Sequence, residues 1–219
     1  TGMSQTIESI GDMINKQQYT EAKTAIDAFI ANPKNAEKAD GWYYKGRIYN
    51  SLSYEKTTTP IDAYNFKLQA FDAFKKTQQL DPKDLRLKME AYNSYMNLYY
   101  GFFDLGANFY NGKEFDNAYN SFGKALDVKD YILSKEYTYP ELKFYPLDTA
   151  LVLNTAIAAM QSKNSDGAAK YYRKLTDANV AGDGYQEVYE FLADYYLQKK
   201  DEANLQAILV KGKSFYPKN

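Results

Sequence analysis

Residues 99–132 read YYGFFDLGANFYNGKEFDNAYNSFGKALDVKDYI, and two helical patterns meet inside them at the polar turn Asn111-Gly112-Lys113. Phe102, Leu105, Gly106 and Phe109 precede the turn; Ala118, Phe122 and Ala125 follow it. Each set falls at the i, i+3, i+4, i+7 spacing that lines one stripe of an α-helix. The small residues Gly106, Ala118 and Ala125 alternate with the rings of Phe102, Phe109 and Phe122. That alternation lets two antiparallel helices approach closely while the rings fill the flanks.

The same pattern recurs on both sides. Before it, Ser4–Lys16 predicts a first helix capped by Ser4, with Ile7, Ile10, Met13 and Ile14 as its stripe. Gln17–Thr20 turns into a second helix over 21–31, with Ala22, Ala25, Ile26 and Phe29 inward and Asn32-Pro33 as its stop. A helix over 36–52 carries Trp42, Gly46 and Tyr49. Its partner over 60–80 carries Ala70 and Phe74 and ends at Pro82. Trp42 and Ala70 are 28 positions apart against 16 from Phe102 to Ala118, which predicts an insertion around Ser51–Thr59. Residues 84–110 predict one long helix, apolar nearly all round, and a partner helix follows over 114–128. Residues 130–147 break the pattern with two prolines and many rings, and read as an ordered insertion packed across the helices. From Asp148 the period returns. Val152, Ala156 and Ala159 face Ala168, Tyr172 and Leu175, with the turn Lys163–Asp166 supplying a cap. Tyr189, Leu192, Ala193 and Tyr196 then face Leu205, Leu209 and Gly212.

The run aromatic, two residues, Leu-Gly, two residues, aromatic, then Ala, Phe and Ala resembles a tetratricopeptide repeat (TPR). The likeness extends over most of the chain, with repeats near 4–34, 36–82, 84–130, 148–181 and 184–217. It implies an all-α fold in a single domain over 1–219, a right-handed α-solenoid of about five antiparallel helix pairs with an insertion near 130–147. The Tyr-rich composition and the closing KGKSFYP also resemble short repeat proteins of bacterial cell envelopes.

Composition narrows the chemistry. The chain of 219 residues is 45% apolar and 25% charged, which marks a globular chain that needs no disulfide or metal to fold. Cysteine and histidine are both absent, so neither a Ser-His-Asp triad, a Cys-His dyad nor a Cys- or His-ligated metal site can be built. Carboxylate pairs such as Asp183/Glu187 and Glu187/Glu190 read as a solvated helix face. The expectation is therefore a non-enzyme with no cofactor and no metal. Net charge is −1 and no basic run stands out, so no nucleic-acid partner is expected. No stretch reaches the roughly 20 apolar residues of a membrane span. The chain opens Thr-Gly-Met, which a trimmed leader or an artificial N-terminal scar explains. The envelope resemblance favours the periplasm or cell envelope, with the leader removed, over the cytoplasm.

Repeat stacks of this kind present a groove lined by the first helix of each pair. The resemblance places Tyr43, Arg47 and Asn50 on that face, followed by Tyr99, Tyr100, Phe103 and Tyr110, then Met160. The partner-binding residues expected are these eight. Tyr43 and Phe103 replace the basic residues, and Ala107 the Asn, of the clamp by which some members hold a carboxylate, so an extended or helical peptide with apolar anchors is the expected ligand. A protein scaffold role leads. Glycan binding is the alternative, since Tyr and Phe rings also suit sugar faces. A third possibility fills the aromatic face with the chain's own residues 130–147, and Ala207 and Val210 on the last helix suggest a homodimer contact.

Overall fold

The computed structural model of the protein describes residues 5–218. It is 74% helical with no strand among the described residues, which settles the class as all-α. The described residues form twelve helices packed in adjacent pairs. They divide into two compact units, one running to Leu105 and adding Asp127–Phe144, the other holding Gly106–Leu126 and everything from Tyr145 on.

In the first unit, α1 (Ile7–Asn15) starts at Thr6, whose Oγ1 accepts from the Ser9 N–H at 3.1 Å. Ser4, the expected cap, lies outside the described residues. Helix α2 (Tyr19–Ala31) begins two residues ahead of the expected Glu21. Asn32 ends it and caps the short α3 (Pro33–Ala36), so α4 (Ala39–Leu52) starts later than the expected Ala36. Helix α5 (Pro60–Leu80) has the expected bounds: Thr59 caps it, Pro60 occupies its first turn, and the chain leaves it before Pro82. The extra length between Trp42 and Ala70 is only partly loop. Ser53–Thr59 form the connection, and the rest lengthens α5 at its N-terminus. Gly46 admits the Phe74 ring, which a Cβ there would collide with.

Residues 84–110 do not form one helix. Helix α6 (Leu85–Met89) ends, Ala91 and Tyr92 adopt φ of 54° and 57°, and α7 (Asn93–Asn111) begins afresh. The Ala91 N–H donates to the Lys88 carbonyl and the Tyr92 N–H to the Leu87 carbonyl, the crossed pair of bonds that ends a helix in a left-handed residue. Helix α8 (Phe115–Ser134) likewise continues past the expected Val128, so the segment that breaks the repeat pattern starts as helix. Beyond it, the only bridge among the described residues pairs Tyr139 with Leu142.

The second unit adds α9 (Thr149–Gln161), α10 (Ser165–Asp177), α11 (Gln186–Gln198) and α12 (Glu202–Phe215). Val152, Ala156, Ala159, Ala168, Tyr172 and Leu175 are buried as their spacing predicts. So is the close crossing at Gly106: a Cβ there would stand 2.5–2.9 Å from three atoms of the Phe122 ring. On α12 the inward residue is Ile208, and Leu209, expected inward, is 47% exposed. The stripe runs through Leu205, Ile208 and Gly212, one position off the expected register at its centre. No helix among the described residues is long and apolar enough to cross a membrane.

Candidate binding site

The first unit holds a pocket of about 600 Å³ between α4 and α7. Two stripes of equal spacing form its walls. On α4 and its exit these are Arg47, Asn50, Ser51 and Tyr54; on α7 they are Asn93, Asn97, Tyr100, Gly101 and Asp104. Residues spaced by three and four share one helix face, so each wall follows from helical geometry alone. A second pocket of about 320 Å³ adjoins it, lined by Tyr43, Tyr44 and Arg86, and Arg47 and Glu90 line both.

The structure thus brings Arg47, Asn50 and Tyr100 together and places Tyr43 next to them. Tyr43 itself is buried, with its hydroxyl donating to Glu90 Oε2 at 2.9 Å. Burial first, then the Glu90 charge, pushes that hydroxyl up to about 12. Glu90 Oε1 accepts from the Ser94 N–H at 3.0 Å, so this carboxylate caps the start of α7 as it holds Tyr43. The Arg47 guanidinium lies 5.9 Å from the Tyr43 ring centre.

The other expected residues lie elsewhere. Tyr99 is buried, its ring 4.9 Å from Phe144 in an edge contact. Tyr137 stacks on Tyr92 at 3.8 Å, and the Tyr139 hydroxyl donates to the Tyr92 carbonyl at 2.8 Å. The segment after α8 therefore covers the Tyr92–Tyr99 part of the aromatic face with the chain's own rings. Phe103 is exposed on α7 but does not line the pocket. Tyr110, against the Phe115 ring at 5.1 Å, and the exposed Met160 belong to the second unit.

Behind the pocket sits a residue absent from the expected set. Lys67 of α5 is 2% exposed, with its Nζ 3.9 Å from the Tyr54 ring centre and donating to Asn50 Oδ1 at 2.9 Å. Gly101 makes room for it: a Cβ there would stand 2.5 Å from Nζ. Burial pushes the Lys67 amine down to about 7, against the opposing pull of the Asp104 carboxylate. A signal was present in the sequence, because Lys67 interrupts the stripe Ala63, Ala70, Phe71, Phe74 at a core position. Arg47 and Lys67 face Glu90 and Asp104 around the pocket, so its charges are nearly balanced.

The pocket offers donors, acceptors and two half-exposed rings, Tyr54 at 57% and Tyr100 at 45%. No family model matches the chain, and comparison with curated proteins finds no match either.

Proposed function

We propose that the chain is a non-catalytic, TPR-like helical-repeat module that binds an extended peptide segment along α4 and α7. The observation that carries this reading is the convergence of Arg47, Asn50 and Tyr100 on one pocket, continuous along α4 with a second at Tyr43. An elongated cleft with amide side chains on both walls suits a peptide backbone, which alternates acceptor and donor. The ring of Tyr100 offers an apolar anchor at low entropic cost. Balanced charge argues against a strongly acidic or basic ligand.

Selection of a random 12-residue peptide display library on the wild-type protein tests this. Peptides retained by wild type and lost by an Arg47→Ala/Tyr100→Ala variant of unchanged circular dichroism support it. An empty selection, or peptides indifferent to the variant, overturns it. One observation favours a second reading, a neutral glycan: Tyr54 and Tyr100 are exposed beside amide and carboxylate groups. A glycan array probed with the same two proteins separates the readings.

A further inference from the structure

Four side chains at this pocket form a directed relay. Lys67 Nζ donates to Asn50 Oδ1 at 2.9 Å, and Asn50 Nδ2 donates to Asn97 Oδ1 at 2.8 Å. The Tyr54 hydroxyl donates to the same Asn97 oxygen at 2.9 Å. Each amide alone has two equivalent-looking ends, and its orientation is dictated by its neighbours. An ammonium has three donors and no acceptor. A charged Lys67 therefore compels Asn50 to turn its oxygen inward and its NH₂ towards Asn97. Asn97 must then turn its own oxygen towards Asn50 and Tyr54. Its NH₂ is left on the exposed side, among the residues lining the pocket.

We propose that Lys67 is the positioning residue of this site: its buried ammonium sets the direction of the Asn50–Asn97–Tyr54 relay, so that Asn97 presents a donor to a ligand carbonyl. The choice of a peptide carbonyl rests on the function proposed above; the direction of the relay does not. A charged Lys67 has no lone pair with which to accept, and at 2% exposure it lies behind the pocket wall, so the hydrogen bond by which it enters the relay is the one to Asn50. The side chains facing its amine are Asn50 from α4, the Tyr54 ring from the following loop, and Asp104 and Gly101 from α7. Arg47 and Glu90 line the same pocket further along. Among these, Asp104 is the group whose charge favours the ammonium.

The pH dependence follows with a definite sign. Below about 7 the ammonium is present and the relay has one direction. As pH rises through that value the neutral amine gains a lone pair, Asn50 can reverse, and the Asn97 donor is no longer guaranteed. Ligand affinity should fall with rising pH. Asp104→Asn should move the midpoint to lower pH, because it removes the charge that favours the ammonium.

The experiment uses the full chain labelled with ¹³C and ¹⁵N. Lysine Cε shifts and the Asn50 and Asn97 side-chain amide signals are followed from pH 5.5 to 9.5. The expected result is one lysine titrating near neutrality, with both amides shifting at its midpoint, and loss of that response at Asn97 in Lys67→Met. Should Lys67→Met fail to fold, Asn50→Leu breaks the relay one step later and should uncouple Asn97 in the same way. An Asn97 amide indifferent to the Lys67 titration overturns the proposal. The ligand arm uses the tightest peptide from the display selection, with each carbonyl replaced in turn by a thioamide, a weaker acceptor. One replacement should weaken binding to wild type about fivefold and leave binding to Asn97→Ala unchanged. A peptide that binds but shows no such position overturns the carbonyl assignment. An empty selection defeats the peptide reading, while the amide titration still decides the relay.

Discussion

Two residues without side chains define how closely the helices of this protein meet. Gly46 lies under Phe74, and Gly106 under Phe122, in the same relation in two different helix pairs. A methyl group at Gly106 would penetrate the Phe122 ring, and the ring has little freedom because Phe122 is buried. Gly106→Ala should cost about 1–3 kcal/mol in urea unfolding. Gly106→Ala combined with Phe122→Leu should cost less than the sum of the two single changes. Lys67 carries the second prediction at this scale. Its folded value is about 7 against an ordinary 10.5, so between these the unfolded chain binds more protons than the folded one. Stability should therefore rise as pH increases from about 7 towards 10, by up to about 1.4 kcal/mol per pH unit from this group. The rise should be absent from Lys67→Met itself and should persist in the difference between wild type and Lys67→Met, where the titrations common to both proteins cancel. A difference that is flat or falls over that window contradicts the burial of a titrating amine.

At the scale of elements, what was legible in the sequence depended on local punctuation. Helix α5 keeps its expected bounds because Thr59-Pro60 opens it and Asp81-Pro82 closes it. The break between α6 and α7 was not legible, because Ala91 and Tyr92 carry no Gly or Pro signal. Both adopt left-handed backbone, at a cost of about 1–2 kcal/mol per residue. Contacts from far along the chain hold that break: Tyr137 stacks on Tyr92, and Tyr139 donates to the Tyr92 carbonyl. Tyr139→Phe should remove that hydrogen bond and destabilise the protein by about 1 kcal/mol. Amide hydrogen exchange should speed first at Ala91–Asn93. The turns between paired helices show a related pattern. Lys113, Lys163 and Lys200 each take φ near 60°, and the next residue donates back to a carbonyl five positions earlier. Asn164 and Asp201 then cap the following helices, at 2.9 and 3.2 Å. In the first of these turns, Asn111-Gly112-Lys113, it is Lys113 that carries the left-handed conformation. Lys113→Gly should therefore stabilise by about 0.5–1 kcal/mol, by relieving the Cβ crowding. Thermal unfolding of the single variant measures it.

At the scale of the whole molecule, helical periodicity and the absence of strand patterns were enough for the all-α class. Division into two compact units was not legible, because α7 and α8 each contribute to both and no linker composition marks the change. The candidate site was legible in part for the same reason that the helices were. Arg47 and Tyr100 are exposed and Asn50 half-buried, all at helical spacing, and the tetratricopeptide resemblance alone placed them on one face. Tyr99 has the same register but lies beneath Phe144, a contact 45 positions away in sequence that periodicity does not report. Asn97, Tyr54 and Lys67 were missed because their roles depend on one another across three segments. A ligand for the α4–α7 cleft should perturb signals of the first unit around Arg47, Asn97 and Tyr100.

The central claim, that the cleft between α4 and α7 is where this protein binds, is tested most directly by backbone amide NMR of the labelled chain. The tightest display-selected peptide would be titrated into wild type and into Arg47→Ala/Tyr100→Ala. Saturable shifts clustered on residues 43–54 and 93–104 of wild type, and abolished in the variant, are the predicted result. Equal binding to both proteins, or shifts confined to the second unit, would contradict it.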